Sequence, residues 1–236
     1  MWRDGCREAG QATLAVLDAA VAAARDAGAT VLDPVELPGA DALGEPESAA
    51  LRHEFKRDLN RHLAALPGPR PRSLAELIRY NMLNARQVLV HFGQELFEQA
   101  EATSGDPADP GALAARAEAG ARAREALDGP LTAHRLDAII TLTANPACLT
   151  DHVLGDHDVF HTSSPSAAAG YPAVSVPAGL VHGLPVGLSF LGPAWSEPRL
   201  IALAGAFEDG RPVLRYPDLT AHVQRARAAR AARAQR

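Results

Sequence analysis

The 236-residue sequence is most informative first for what it has little of. Of its 23 basic residues only Lys56 is a lysine, so any chemistry that needs an amine base has a single candidate. Cysteine is almost absent. Cys6 and Cys148 stand far apart in unlike surroundings, which excludes a disulfide framework and a thiolate metal site and fits a reducing cytoplasm. There is no surplus of positive charge: the net charge is -5, without the basic surface that phosphate backbones require, so nucleic acid is not an expected partner. No run of 18 apolar residues occurs and the mixed-charge start MWRDGCREAG is not a signal peptide, so no membrane partner is expected either.

What is present suffices for a core, at 47% hydrophobic residues. The first 130 residues read as mostly helical. Leu14, Leu17 and Val21 recur at helical spacing from about Arg7 to Ala27, with Gly28 as the stop and Thr30-Val31-Leu32 as a short strand before Asp33-Pro34. A second stripe runs through Leu51, Phe55, Leu59, Leu63 and Leu66, which turns Lys56 to solvent or to a nearby acid. Ser73 and Glu76 form a capping box ahead of Leu74, Leu77, Ile78 and Met82. Further helical pieces cover Phe92 to Ala100 and about Leu113 to Leu127.

The pattern changes at Leu136. Residues 137–142 form an apolar, β-branched run that ends before the turn former Asn145-Pro146, as a buried strand does. Residues 173–181 and 184–190 flank His182-Gly183, a pair suited to a tight antiparallel hairpin. Ser196 then caps a helix whose packed face is Leu200, Leu203, Ala204 and Phe207. Residues 216–236 are a basic Ala/Arg-rich tail, expected to be solvated, behind a single incomplete domain over residues 1–215.

Three groups of residues invite a chemical reading. The stretch TSSPSAAAGYP holds Ser163, Ser164 and Ser166, but a serine nucleophile needs a base and a set of oxyanion donors, commonly from a glycine-rich turn. That turn is missing here, and Pro165 removes an amide where a donor is wanted. The run Asp151-His152, Asp156-His157-Asp158 and His161 has metal-ligand chemistry but no ligand spacing, so it reads as a polar loop. Cys148 has no neighbouring cation to activate it and reads as a small packing residue.

Residues 140–208 resemble the C-terminal part of the amidase signature enzymes. The similarity is carried by Gly170-Tyr171-Pro172-Ala173, Val176-Pro177-Ala178-Gly179, Pro185-Val186-Gly187-Leu188 and Glu197. Segments 54–66, 73–81 and 92–100 resemble the helical region that precedes it, so the similarity reaches from the first helix to about Arg211. It implies an α/β fold, the C-terminal part of the amidase signature fold, with a helical first half, then mixed sheet strands with an antiparallel hairpin and flanking helices. It also implies hydrolysis of a carboxamide by a serine nucleophile, without a cofactor and without a metal.

The family's catalytic lysine and two serines lie in its N-terminal half, the serines in a loop of the Gly-Gly-Ser-Ser-Gly-Gly type. No such loop occurs in these 236 residues, and Lys56 falls well after the position of the family's lysine. The chain is therefore expected to be an amidase fragment, inactive alone, with no catalytic residue of its own. The resemblance further implies that Thr143 to Asp151 and Asp158 to Ser164 wall the acyl side of a substrate cleft. Its expected contacts are Thr143, Asn145, Pro146, Asp158 and Phe160. Expected partners are a small-molecule amide and either a missing N-terminal amidase half or further copies of the chain. A split enzyme and a non-catalytic binding module are the rival readings. A glutaminyl-tRNA-forming amidotransferase ranks lower, because the Phe160 neighbourhood is apolar where a glutamine pocket needs charge.

Overall fold

The computed structural model describes residues 1–210; the basic tail and the boundary expected near residue 215 lie outside the described residues. The element order is α1 (Gln11–Asp26), α2 (Gly44–Ala65), α3 (Leu74–Leu83), α4 (Ala85–Val88), α5 (Glu95–Glu101), α6 (Pro110–Ala133), β1 (Ile139–Leu142), α7 (Ser164–Ala169), β2 (Ala173–Val181), β3 (Leu184–Leu191) and α8 (Glu197–Gly210). The helical first half and the change of character after Leu136 are as expected.

The three strands are ordered β1-β3-β2. The strand β3 pairs antiparallel with both neighbours, so β1 and β2 run in the same direction on either side of it. The hairpin turns at His182 (φ 50°) and Gly183 (φ 82°), the left-handed pair that matches the twist of the two strands. One face of the sheet carries Leu142, Val176, Val186, Leu188 and Phe190, which pack on Val16 and Leu17 of α1 and on Leu200 and Phe207 of α8. Phe190 and Phe207 meet edge to face at 6.1 Å. Full burial of a side chain such as Leu17 or Leu188 stabilises by about 1.5–3 kcal/mol. On the opposite face Ile139 and Leu191 pack with Ala123 and Leu127 of α6 and Ala169 of α7, Thr141 and Ser189 are also buried, and the exposed residues are Ala173 and Ser175 on β2.

Local chemistry sets the element ends. Past α1, Gly28 takes φ 93° and the amide of Ala29 reaches back to the Ala24 carbonyl at 3.0 Å, closing the helix with its carbonyls satisfied. Gly179 has no Cβ because one would lie 2.9 Å from Cγ1 of Val16; α1 sits directly on the sheet there. At α3 the hydroxyl of Ser73 accepts from Glu76 N as the capping box requires, while the Glu76 carboxylate reaches Arg72 N at 2.7 Å. Lys56 pairs with an acid and does more. Its Nζ donates to the carbonyls of Glu101 (2.6 Å) and Thr103 (2.8 Å) and lies 3.2 Å from the Glu101 carboxylate, closing the end of α5.

Several local expectations are corrected. Thr30-Val31-Leu32 is not a regular strand: Leu32 accepts from the Met1 amino group and Val35 N donates to Met1 O, but Pro34 between them has no N–H with which to continue a ladder. The apolar stripe of α2 buries little. Leu51 and Phe55 are exposed and, with Leu59, Leu96 and Phe97, line an open groove of about 750 Å³ between α2 and α5. Met82 on α3 is likewise exposed. The helix α6 continues past Leu127 to Ala133, taking Pro130 into its last turn. Ser164-Pro165-Ser166-Ala167-Ala168-Ala169, to which the sequence assigns no element, forms the short helix α7 ahead of β2. The hydroxyl of Ser196 donates to Pro193 O at 2.7 Å instead of accepting from the first turn of α8.

Candidate functional site

The loop that leaves β1 is organised by Asn145. Its Oδ1 accepts from the amides of Val159 (3.2 Å) and Phe160 (3.3 Å), and its Nδ2 donates to Pro146 O at 2.9 Å. Its own amide donates to Phe160 O at 3.3 Å. A short β-bridge between Ala144 and His161 and a bond from Thr162 N to Thr143 O (3.1 Å) extend the pairing beyond β1. Asn145 thus clips residues 159–160 against residues 145–146. The result is one wall of a cavity of about 270 Å³, closed by Thr13 of α1 and by Val181 and His182 at the hairpin.

Three of the five expected contacts, Asn145, Pro146 and Phe160, line that cavity together. Phe160 is nearly buried and also belongs to the core behind the sheet. Thr143 and Asp158 lie elsewhere. Asp158 is exposed on the loop, its amide donating to Asp156 O at 2.9 Å. Thr143 sits on the face of the sheet opposite α1 and α8, where its hydroxyl lies 2.6 Å from Ser175 Oγ and 2.8 Å from Ser189 Oγ. Sequence reasoning does not find this trio. Its only sequence signal is a small polar residue at the alternating positions of VSV and LSF, and joining the two needs the strand register.

The acid–histidine run is a loop held by its own carboxylates. Asp151 accepts from the amides of Val153 (2.8 Å) and Leu154 (3.0 Å), and these two donors hold its carboxyl below the usual range. Asp156 accepts from Asp151 N at 2.9 Å. His152 stacks on His91 with ring centroids 3.8 Å apart. Among the described residues no three side chains of ligand type gather around a common point. Cys148 is exposed at the cavity rim rather than packed; Cys6 is buried, and burial pushes its thiol up.

Two arrangements look catalytic and are not. Ser104 lies 3.5 Å from His53 Nδ1 and 2.8 Å from Asp109 Oδ2, a serine, histidine and aspartate in contact. The order is wrong for nucleophile activation, since the serine donates its proton to the carboxylate and the histidine does not stand between them. Asp109 is the cap of α6, accepting from Gly111 N (2.8 Å) and Ala112 N (3.1 Å). The serines of α7 have no amine to serve them, because the one lysine is committed at the end of α5. Ser166 is buried there with an unpartnered hydroxyl.

Comparison with known proteins completes the description. A family model described as Amidase matches residues 1–201. A probable amidase of Arabidopsis thaliana is 35% identical over 213 residues, which is 87% of this chain and 38% of the relative. The crystal structure of a peptide amidase in complex with the competitive inhibitor chymostatin superposes with a TM-score of 0.81 at 42% identity, over 86% of this chain and 41% of that one. The native peptide amidase of Stenotrophomonas maltophilia gives 0.74 at 40% identity, with the same coverage. A glutamyl-tRNA(Gln) amidotransferase polypeptide of Streptococcus uberis is 52% identical over 44 residues, 19% of this chain. The chain spans about two fifths of the length of the full-length relatives it matches.

Proposed function

The chain belongs to the amidase family, and from that membership we propose that it forms the substrate-side, carboxyl-terminal portion of a carboxamide hydrolase. The reaction is R–CO–NH2 plus water giving R–COOH and ammonia. In this reading the cavity of Asn145, Pro146 and Phe160 receives the acyl side of the amide, and Thr143 and Asp158, which lie outside it, have no part in binding. The serine nucleophile and its lysine base come from amidase residues outside these 236. The chain by itself hydrolyses no amide, because base and nucleophile act as a unit and the loss of both removes the covalent route.

The observation that carries this reading is the placement of Lys56. The only amine side chain in the sequence is 17% exposed and bound to two carbonyls and a carboxylate, so it is not available to deprotonate a serine. The apolar character of the cavity around Phe160 supports a general amide substrate over glutamine. The identity to the amidotransferase is confined to 44 residues, which gives that alternative less support than the 213-residue match. Two free cysteines and no helix, among the described residues, long and apolar enough to cross a membrane support a reducing, aqueous setting.

The test is co-expression with an amidase N-terminal portion that carries a glycine-serine loop and its lysine. The reading expects ammonia release from a simple carboxamide by the complex, with KM raised several-fold by Phe160→Ala. A complex whose KM is indifferent to Phe160 and to Asn145 would remove the cavity from the substrate path.

A further inference from the structure

The amide cavity makes no use of the groove between α2 and α5. That groove runs along α2 from Ser48 to His62, a rise of about 21 Å, with Leu96 and Phe97 of α5 along its side. Leu51 is 55% exposed and Leu96 68%, and Phe55, tilted onto Phe97 at a centroid distance of 5.4 Å, is still 39% exposed. Four turns of open apolar helix enclose no small molecule; they match another helix laid alongside.

The order of residues on α2 says which helix. Counted outward from Phe55, Leu51 is matched by Leu59 on the other side, and Arg52 by Asp58. In an antiparallel pair of α2 helices that meet at Phe55, leucine therefore faces leucine and each Arg52 faces the Asp58 of the other copy. Both groups have capacity for it. Arg52 makes only a 3.7 Å contact with the exposed Glu45, and the Oδ2 of Asp58 accepts from Arg57 alone and keeps a lone pair. The wider charge agrees: residues 44–54 carry Glu45, Glu47 and Glu54 against Arg52, and residues 55–65 carry Arg57, Arg61 and the already paired Lys56 against Asp58. Antiparallel pairing sets the acidic half on the basic half and opposes the helix dipoles, whereas parallel pairing sets like on like. Self-complementarity of this kind is what a two-fold interface requires and a foreign partner does not. We infer that the α2 groove is the two-fold contact of a homodimer, with α2 of a second copy lying antiparallel across Phe55. The contact stands apart from the amide reading, since no residue of the groove lines the Asn145 cavity.

The experiment is sedimentation equilibrium of the full 236-residue chain over a range of concentrations, where a reversible monomer–dimer equilibrium is expected. Arg52→Asp sets two carboxylates opposite each other and Asp58→Arg two guanidiniums, and each is expected to raise the dimer dissociation constant at least about tenfold. An equimolar mixture of the two variants restores opposite charges at both crossings and is expected to dimerise as the parent chain does. Ile201→Ser, at a comparably exposed apolar site on α8, is expected to change nothing. A chain that stays monomeric at every concentration, single variants that dimerise undiminished, or a mixture no better than either variant would overturn the inference. So would co-expression with an amidase N-terminal portion that yields a complex with the dimer gone, because the groove would then belong to that portion. Arg52→Asp is expected to leave ammonia release by the completed complex unchanged, so a failed dimer and a failed amide site are told apart.

Discussion

Replacing Lys56 with methionine isolates the role assigned to the only lysine. Methionine keeps most of the aliphatic stem, which runs beside Gly105, whose Cβ, if present, would lie 3.1 Å from Lys56 Cγ and Cδ. What is lost is the ammonium, with its bonds to the Glu101 and Thr103 carbonyls and its pairing with the Glu101 carboxylate. Bonds to a charged group contribute about 1.5–3 kcal/mol, and the carbonyls at the end of α5 are left without their donor. The second carboxylate oxygen of Glu101 is already buried without a partner, so removing the cation leaves it uncompensated. Partial exposure of both side chains screens the charge pair and places the total near the lower end, about 2 kcal/mol. For a chain of this size that is a fall in melting temperature of about 4–8 °C. Thermal and urea unfolding followed by circular dichroism measure it, and Lys56→Met with Glu101→Gln should cost less than the sum of the two. A change smaller than about 0.5 kcal/mol, the ordinary range of a surface substitution, or full stability with loss of an amidase activity, would refute the structural role.

Four further outcomes are expected. Gly187→Ala should destabilise by about 1–3 kcal/mol, because the new methyl displaces the Thr143 and Ser175 hydroxyls; Ser175→Ala in the same chain should recover part of the loss in urea unfolding. Asp33 is held below the usual carboxylate range by its bond to Arg3 at 2.7 Å, so its contribution is present above the unfolded value near pH 4 and is lost as pH falls through the lowered value. Arg3→Leu should therefore narrow the stable range on its acid side, and an unchanged acid-unfolding profile would contradict it. Titration with a thiol reagent should find one reactive cysteine in the native chain, Cys148, and two in denaturant; two in the native chain would contradict the burial of Cys6. Gly28→Ala should cost about 1 kcal/mol, because φ 93° suits no L side chain, and thermal unfolding reads it directly.

How far the sequence carries differs from element to element for physical reasons. The hairpin at His182-Gly183 and the helix α1 with its glycine stop are legible because the code for them is local, a left-handed turn pair and an apolar period. The strand expected at residues 30–32 fails because β-branched propensity says nothing of a partner, and Pro34 interrupts the one it meets. The helix α7 escapes the sequence because Ser-Pro-Ser before three alanines suits a turn as well as a helix, and its packing on α6 decides. In the candidate site, Asn145, Pro146 and Phe160 share one cavity, as the loop after a strand suggests, while Thr143 and Asp158 diverge because alternation turns Thr143 to the other face and solvent takes Asp158. The Thr143–Ser175–Ser189 trio joins residues 32 and 46 positions apart, a separation that only strand register closes.

The central claim is that these 236 residues hold the wall of an amide site without its reacting groups. Incubating the purified chain alone with a simple carboxamide and measuring ammonia tests it most directly. Release at the buffer rate is the predicted result. Turnover above that rate, abolished by alanine at Ser163, Ser164 or Lys56, would contradict it.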